Sequence, residues 1–154
     1  FALASDYLGY TDDLSTQRWR AAYTATGVEE VESGLAIKNT IPNVSAVLFR
    51  RDEFLDVLER HIDELVGYRI AGDWIAYLYL LQHGRIHYVP EVLNRHRYHG
   101  GSVTGTLAAR QHYEEVVAAQ ALARRLYAPS EAACAAAKAY AATLRAHFGL
   151  DGVR

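Results

Sequence analysis

Residues Trp74 to His83 constrain this chain more than any other stretch. Trp74, Ile75, Tyr77, Leu78, Leu80 and Leu81 fall on every side of a helix, and a helix apolar all round must be covered all round. Asp73 stands at its start and Gly84 at its end, an acid where helices begin and a glycine where they stop. The rest of the chain therefore has to wrap this segment. It has the means to do so: 154 residues make one ordinary domain, and 51 % of them are apolar against 22 % charged, enough for a sizeable core.

The flanking patterns name the wrapping elements. Phe54, Leu55, Leu58, Ile62 and Leu65 recur at helical spacing and predict an amphipathic helix from Arg51 to Leu65. Earlier, Thr11-Asp12-Asp13 can cap a helix running from Leu14 to Tyr23, with Gly27 as its stop. A short helix is expected from Val28 to Ile37, its first-turn acids suiting the helix dipole. Asn39 to Asn43 reads as a turn. Val44 to Phe49 is short, β-branched and apolar and reads as a buried strand; Arg85 to Val89 and Val92 to His99 read as two more.

Composition changes near Gly105. Most of the 25 alanines lie beyond it. Pro129 and Ser130 divide this tail into two helices, Thr106–Tyr127 and Ser130–Phe148, the second capped by Ser130. The chain is thus read as a mixed region, 1–104, and an Ala-rich helical tail, 105–154. The fold class is α+β with helices dominant: five to six helices and about three short strands in a small sheet, without a large parallel sheet.

Charge and cysteine use narrow the function. Lys plus Arg number 16 against 18 acids, a formal net charge of −2, which argues against a general nucleic-acid binder. One cysteine, Cys134, excludes an intrachain disulfide framework and a Cys-rich zinc site. No run of 18 apolar residues spans a bilayer. The sequence holds no methionine, and it opens mid-pattern with FALASDYLGYTDD; the expectation is a piece of a longer protein.

The densest polar signal is Asn94 to Thr104. On a strand Arg95, Arg97 and His99 share one face, and two guanidinium groups with an imidazole suit an oxyanion such as phosphate; an exposed edge strand with solvated charges is the plainer account. Four of the seven histidines, His83, His87, His96 and His99, fall close together, but Gly84 interrupts the helical spacing of the first two and no HExxH or nearby Cys supports a metal site. Asp73 is the most informative acid. It can cap its helix, or serve as a general base whose proton affinity burial raises and the helix N-terminus lowers.

Taken in order, the blocks Asn39-Thr40-Ile41-Pro42-Asn43-Val44-Ser45-Ala46, Phe49-Arg50-Arg51, Ala71-Gly72-Asp73-Trp74, Gly84-Arg85-Ile86-His87-Tyr88-Val89-Pro90-Glu91, Leu93-Asn94-Arg95-His96-Arg97-Tyr98-His99 and Ser102-Val103-Thr104 resemble the C-terminal half of a bacterial family 2 glycosyltransferase of the GT-A fold. The likeness covers roughly residues 5–104 and lies in the ordered set rather than in one motif.

That resemblance implies an enzyme that moves a sugar from a nucleotide-diphosphate donor to an acceptor hydroxyl with inversion, in bacterial polysaccharide or glycan synthesis. It makes Asp73 the catalytic base, and Trp74 either core or a wall of the acceptor pocket. Arg97 and His99 assist the donor diphosphate or its metal. The family's N-terminal half binds the nucleotide and holds a divalent cation, Mg or Mn, through Asp-x-Asp. This chain contains no Asp-x-Asp and no Gly-rich nucleotide-binding βα unit. Alone it is therefore expected to bind no cation and to be inactive. Its partners in the full-length protein are the nucleotide-sugar and the glycan acceptor; the face left by the missing half should make the piece self-associate. The implied compartment is the cytoplasm, with the parent protein free or at a membrane surface. Two other readings stand beside this one: a helical interaction module docking through the Ala-rich tail, and a small oxyanion-binding domain built on the Arg-His strand.

Overall fold

The structure is a computed structural model and describes residues 21–41, 44–91 and 109–150. Its elements run β1 (Tyr23–Thr26), α1 (Gly27–Glu30) continuing into a π turn (Val31–Leu35), a 3-10 turn (Val44–Ala46), α2 (Arg51–Leu65), α3 (Gly72–Leu80), β2 (Arg85–Tyr88), α4 (Ala109–Tyr127) and α5 (Glu131–His147). Helices dominate, and the sheet among the described residues is one antiparallel pair, β1 with β2.

The apolar segment sits where its composition demands. Within α3, Trp74, Ile75, Ala76, Tyr77, Leu78 and Tyr79 are all buried. Helix α2 packs on one side of it and α4 on another, while the π turn touches both α3 and α4. Val116, Ala119, Leu122 and Ala123 of α4 join Trp74, Ile75 and Leu78 in a single hydrophobic cluster. The change of composition at Gly105 therefore divides the chain in sequence, while the core runs across it.

Two expected elements are replaced. Tyr23, read as the end of a helix from Leu14, lies instead in β1, where Tyr23 pairs with Tyr88 and Thr26 with Arg85. The two tyrosine rings stack at 5.5 Å, and Thr24 Oγ1 lies 2.7 Å from His87 Nδ1 across the pair. Alternating Thr side chains suit a pleated, half-buried ribbon; the start of the expected helix lies outside the described residues. Val44 to Phe49, read as a buried strand, forms a 3-10 turn followed by unpaired chain, with Leu48 fully exposed. A strand needs a neighbour's ladder, and here the run serves to lay Phe49 against Phe54 (4.6 Å) and Tyr77 (6.2 Å). The expected strand at Val92–His99 lies outside the described residues.

Where the signals are local, the boundaries follow them. Thr26 and Glu29 form a reciprocal capping box at α1. Helix α2 occupies the anticipated residues. Ser130 Oγ accepts from Ala133 N–H at the start of α5, and the Glu32 carboxylate takes both the Ser130 N–H, at 3.0 Å, and the Ser130 hydroxyl, tying α5 back to the π turn. On α5, Ala133, Ala137, Ala141 and Leu144 are buried. Small side chains let Gln120 Nε2 reach the Ala137 carbonyl at 2.9 Å while also donating to Ile37 O at 2.8 Å. Gly27 marks the closest approach: a Cβ there would lie 1.7 Å from Leu81 O, and its N–H donates to Gly84 O. No helix among the described residues is long and apolar enough to cross a membrane.

Candidate functional site

Asp73 is the second residue of α3, two positions beyond the N-cap, Ala71, which offers no side-chain bond. The carboxylate still takes a first-turn amide, since Oδ1 accepts Trp74 N–H at 2.7 Å. Oδ1 also lies 3.4 Å from Asn39 Nδ2. Asn39 is aimed by its own turn: its Oδ1 accepts Ile41 N–H at 3.0 Å, an Asx-type closure that fixes the amide. Asn39 and Asp73, 34 residues apart in sequence, thus bring together two of the ordered blocks.

Asp73 is partly buried, and burial pushes its pKa from 3.8 up to about 6, against the pull of the Trp74 amide and its own. A carboxylic acid that titrates near neutrality is matched to proton transfer. One turn on, Tyr77 is 2 % exposed, and its hydroxyl finds no hydrogen-bond partner among the described residues. Burial, and then the Asp73 charge, drive the Tyr77 pKa upward. An orphaned buried hydroxyl is uncommon enough to require a reason.

Trp74 belongs to the core. It is 2 % exposed, and its indole N–H donates to Leu35 O at 3.0 Å, satisfying a carbonyl of the π turn. Of the two roles expected of it, core or pocket wall, this burial supports the core. Arg97 and His99 lie outside the described residues. Among the described residues no group of three or more His, Cys, Asp or Glu is placed to hold a metal ion.

The residue that the patterns missed is Glu115, on α4. It is buried and accepts the backbone N–H groups of Arg69, Ile70 and Ala71, the turn leading into α3. The one available signal was its place on the helical face that carries Val116, Ala119 and Leu122. Elsewhere, a concavity of about 560 Å³ between α4 and α5 is lined in part by Tyr113, Gln120, Arg124, Cys134, Lys138 and Arg145; Asp73 does not line it. Comparison of the chain with protein-family models, curated proteins and solved structures finds no match.

Proposed function

We propose that this chain works as the acceptor-side part of an inverting glycosyltransferase of the GT-A, family 2 type, with Asp73 as its general base. The observation that carries the reading is the Asp73 carboxylate at the mouth of α3, oriented by Trp74 N–H and Asn39 and raised to about 6. In the reaction the carboxylate takes the proton of the acceptor hydroxyl. That oxygen forms the new bond to the anomeric carbon as the bond to the donor diphosphate breaks, and the electron pair leaves on the diphosphate. Arg97 and His99 belong to the same reading, as groups that stabilise the charge gathering on that leaving group.

The interaction-module alternative draws less support. Ala133, Ala137 and Ala141, the stripe it would dock with, are buried against α4. The deciding experiment is Asp73→Asn in the full-length transferase that this reading implies. Turnover should fall by about 10²-fold or more with the fold retained; undiminished turnover removes Asp73 as the base and with it the assignment.

A further inference from the structure

Helix α3 is capped from a distance. Its N-cap residue, Ala71, supplies no side-chain acceptor, yet the amides that lead into the helix are all taken. Glu115 Oε2 accepts Ile70 N–H at 2.8 Å, Ala71 N–H at 2.9 Å and Arg69 N–H at 3.1 Å, and Oε1 accepts Arg69 N–H at 3.0 Å. From one turn earlier on α4, Gln111 Nε2 reaches Oε1 at 3.2 Å. Only a carboxylate fits this cradle: a glutamine at 115 would present one oxygen and turn its own N–H₂ toward a donor.

The cradle leads directly to Asp73. Ala71 gives its N–H to Glu115 and its carbonyl accepts Ile75 N–H at 2.9 Å, so one residue joins α4 to the first turn of α3. Asp73 lies within that turn. Two carboxylates then share one helix N-terminus, whose partial positive charge favours an anion. Glu115 takes the amides of Arg69, Ile70 and Ala71, and Asp73 takes that of Trp74. We propose that Glu115 is a positioning residue for Asp73: the Ala-rich tail, through one buried carboxylate, fixes the turn that presents the base and sets a second negative charge at the same helix end.

The two carboxyl groups titrate in opposite directions, and for Asp73 burial is the largest cause of the rise. Burial raises the proton affinity of Glu115, but the Ala71, Arg69 and Ile70 amides and Gln111 together bring its pKa below the usual value. Tyr68 and His112 also sense the Glu115 charge; on the Asp73 side the neighbours are Asn39 and Tyr77.

The inference rests on the reading of Asp73 as a base, but its test needs no turnover. The Asp73 side-chain carboxyl is followed by carbon-13 NMR through a pH titration of the chain, with amide exchange read at residues 69–71. In Glu115→Gln the Asp73 midpoint should fall by about one pH unit and the three amides should exchange on the order of tenfold faster. Glu115→Asp, which keeps the charge, should restore part of both. An Asp73 midpoint unmoved in a folded Glu115→Gln protein overturns the proposal and leaves Glu115 as a fastener. If Glu115→Gln does not fold, Glu115→Asp decides: a lowered midpoint supports the coupling, an unchanged one ends it. An unmoved midpoint leaves the base assignment standing, whereas an active Asp73→Asn enzyme removes that assignment and leaves the coupling as measured.

Discussion

The indole N–H of Trp74 ends on the carbonyl of Leu35, 3.0 Å away, with both residues almost wholly covered. A π turn closes its bonds one residue further along than an α-helix does, as Ala36 N–H to Val31 O shows here, and it leaves carbonyls that need donors from elsewhere. Trp74 supplies one, and Gln120 serves the Ile37 carbonyl just beyond the turn. Trp74→Phe removes the donor, strands the Leu35 carbonyl and empties part of the indole's volume. The expected loss is about 2–4 kcal/mol in urea unfolding. A variant as stable as the unaltered chain would show that this bond and the indole's packing contribute little.

Asp73 gives a pH signature of known sign. Its folded pKa, about 6, lies above the ordinary 3.8, so the folded state holds the proton more tightly. Stability from this group is therefore fully present below about pH 4 and is lost as pH rises through 6. Asp73→Asn, which keeps an oxygen for Trp74 N–H, should raise unfolding free energy by about 2 kcal/mol at pH 7.5 and change it little at pH 4. An equal effect at both pH values would show that the carboxyl is not strained by ionisation.

These sites differ in how far the residues alone disclose them. The α2 helix and the Ser130 cap were legible because apolar spacing and capping are local. Asp73 stood out for the same reason, an acid between Gly72 and Trp74 at a helix mouth. Tyr23–Thr26 was hidden because its conformation is set by Arg85–Tyr88, a partner remote in sequence. Val44–Phe49 misled because β-branched residues favour extended chain without supplying the neighbour that makes a strand. Glu115 showed only as an acid on an apolar helical face, for a related reason: its chemistry belongs to three backbone amides, which carry no residue type.

Tyr77 tests the orphaned hydroxyl. A buried donor without a partner costs free energy, and removing it can be neutral or favourable. Tyr77→Phe should therefore keep the ring against Phe49 and stabilise the chain by 0 to about 1 kcal/mol. Destabilisation beyond about 1 kcal/mol would mean that the hydroxyl is satisfied by a group such as a bound water.

Gly27 is fixed by space. A methyl group there would lie 1.7 Å from Leu81 O and 2.6 Å from its carbonyl carbon, so α1 would have to leave the end of α3 and give up the Gly27 to Gly84 bond. Gly27→Ala should cost about 3 kcal/mol, read as a lower urea midpoint. Ala is the better helix former, so an unchanged or raised midpoint would deny the close approach.

The exposed apolar surface gathers away from the tail. Leu48 is 100 % exposed, and Leu55, Ile62 and Val66 are open as well. The last three are spaced seven and four residues apart along α2 and its cap, which puts them on one side of the helix, opposite the buried Val57. Apolar side chains exposed in this way favour contact with a like surface. The chain should therefore show concentration-dependent dimerisation in sedimentation velocity, lost in the double variant Leu48→Glu, Ile62→Glu with the fold intact. The two carboxylates would face each other across the pair, where like charges in a desolvated contact repel. A monomer at every concentration, or a dimer that survives both substitutions, would place the contact elsewhere.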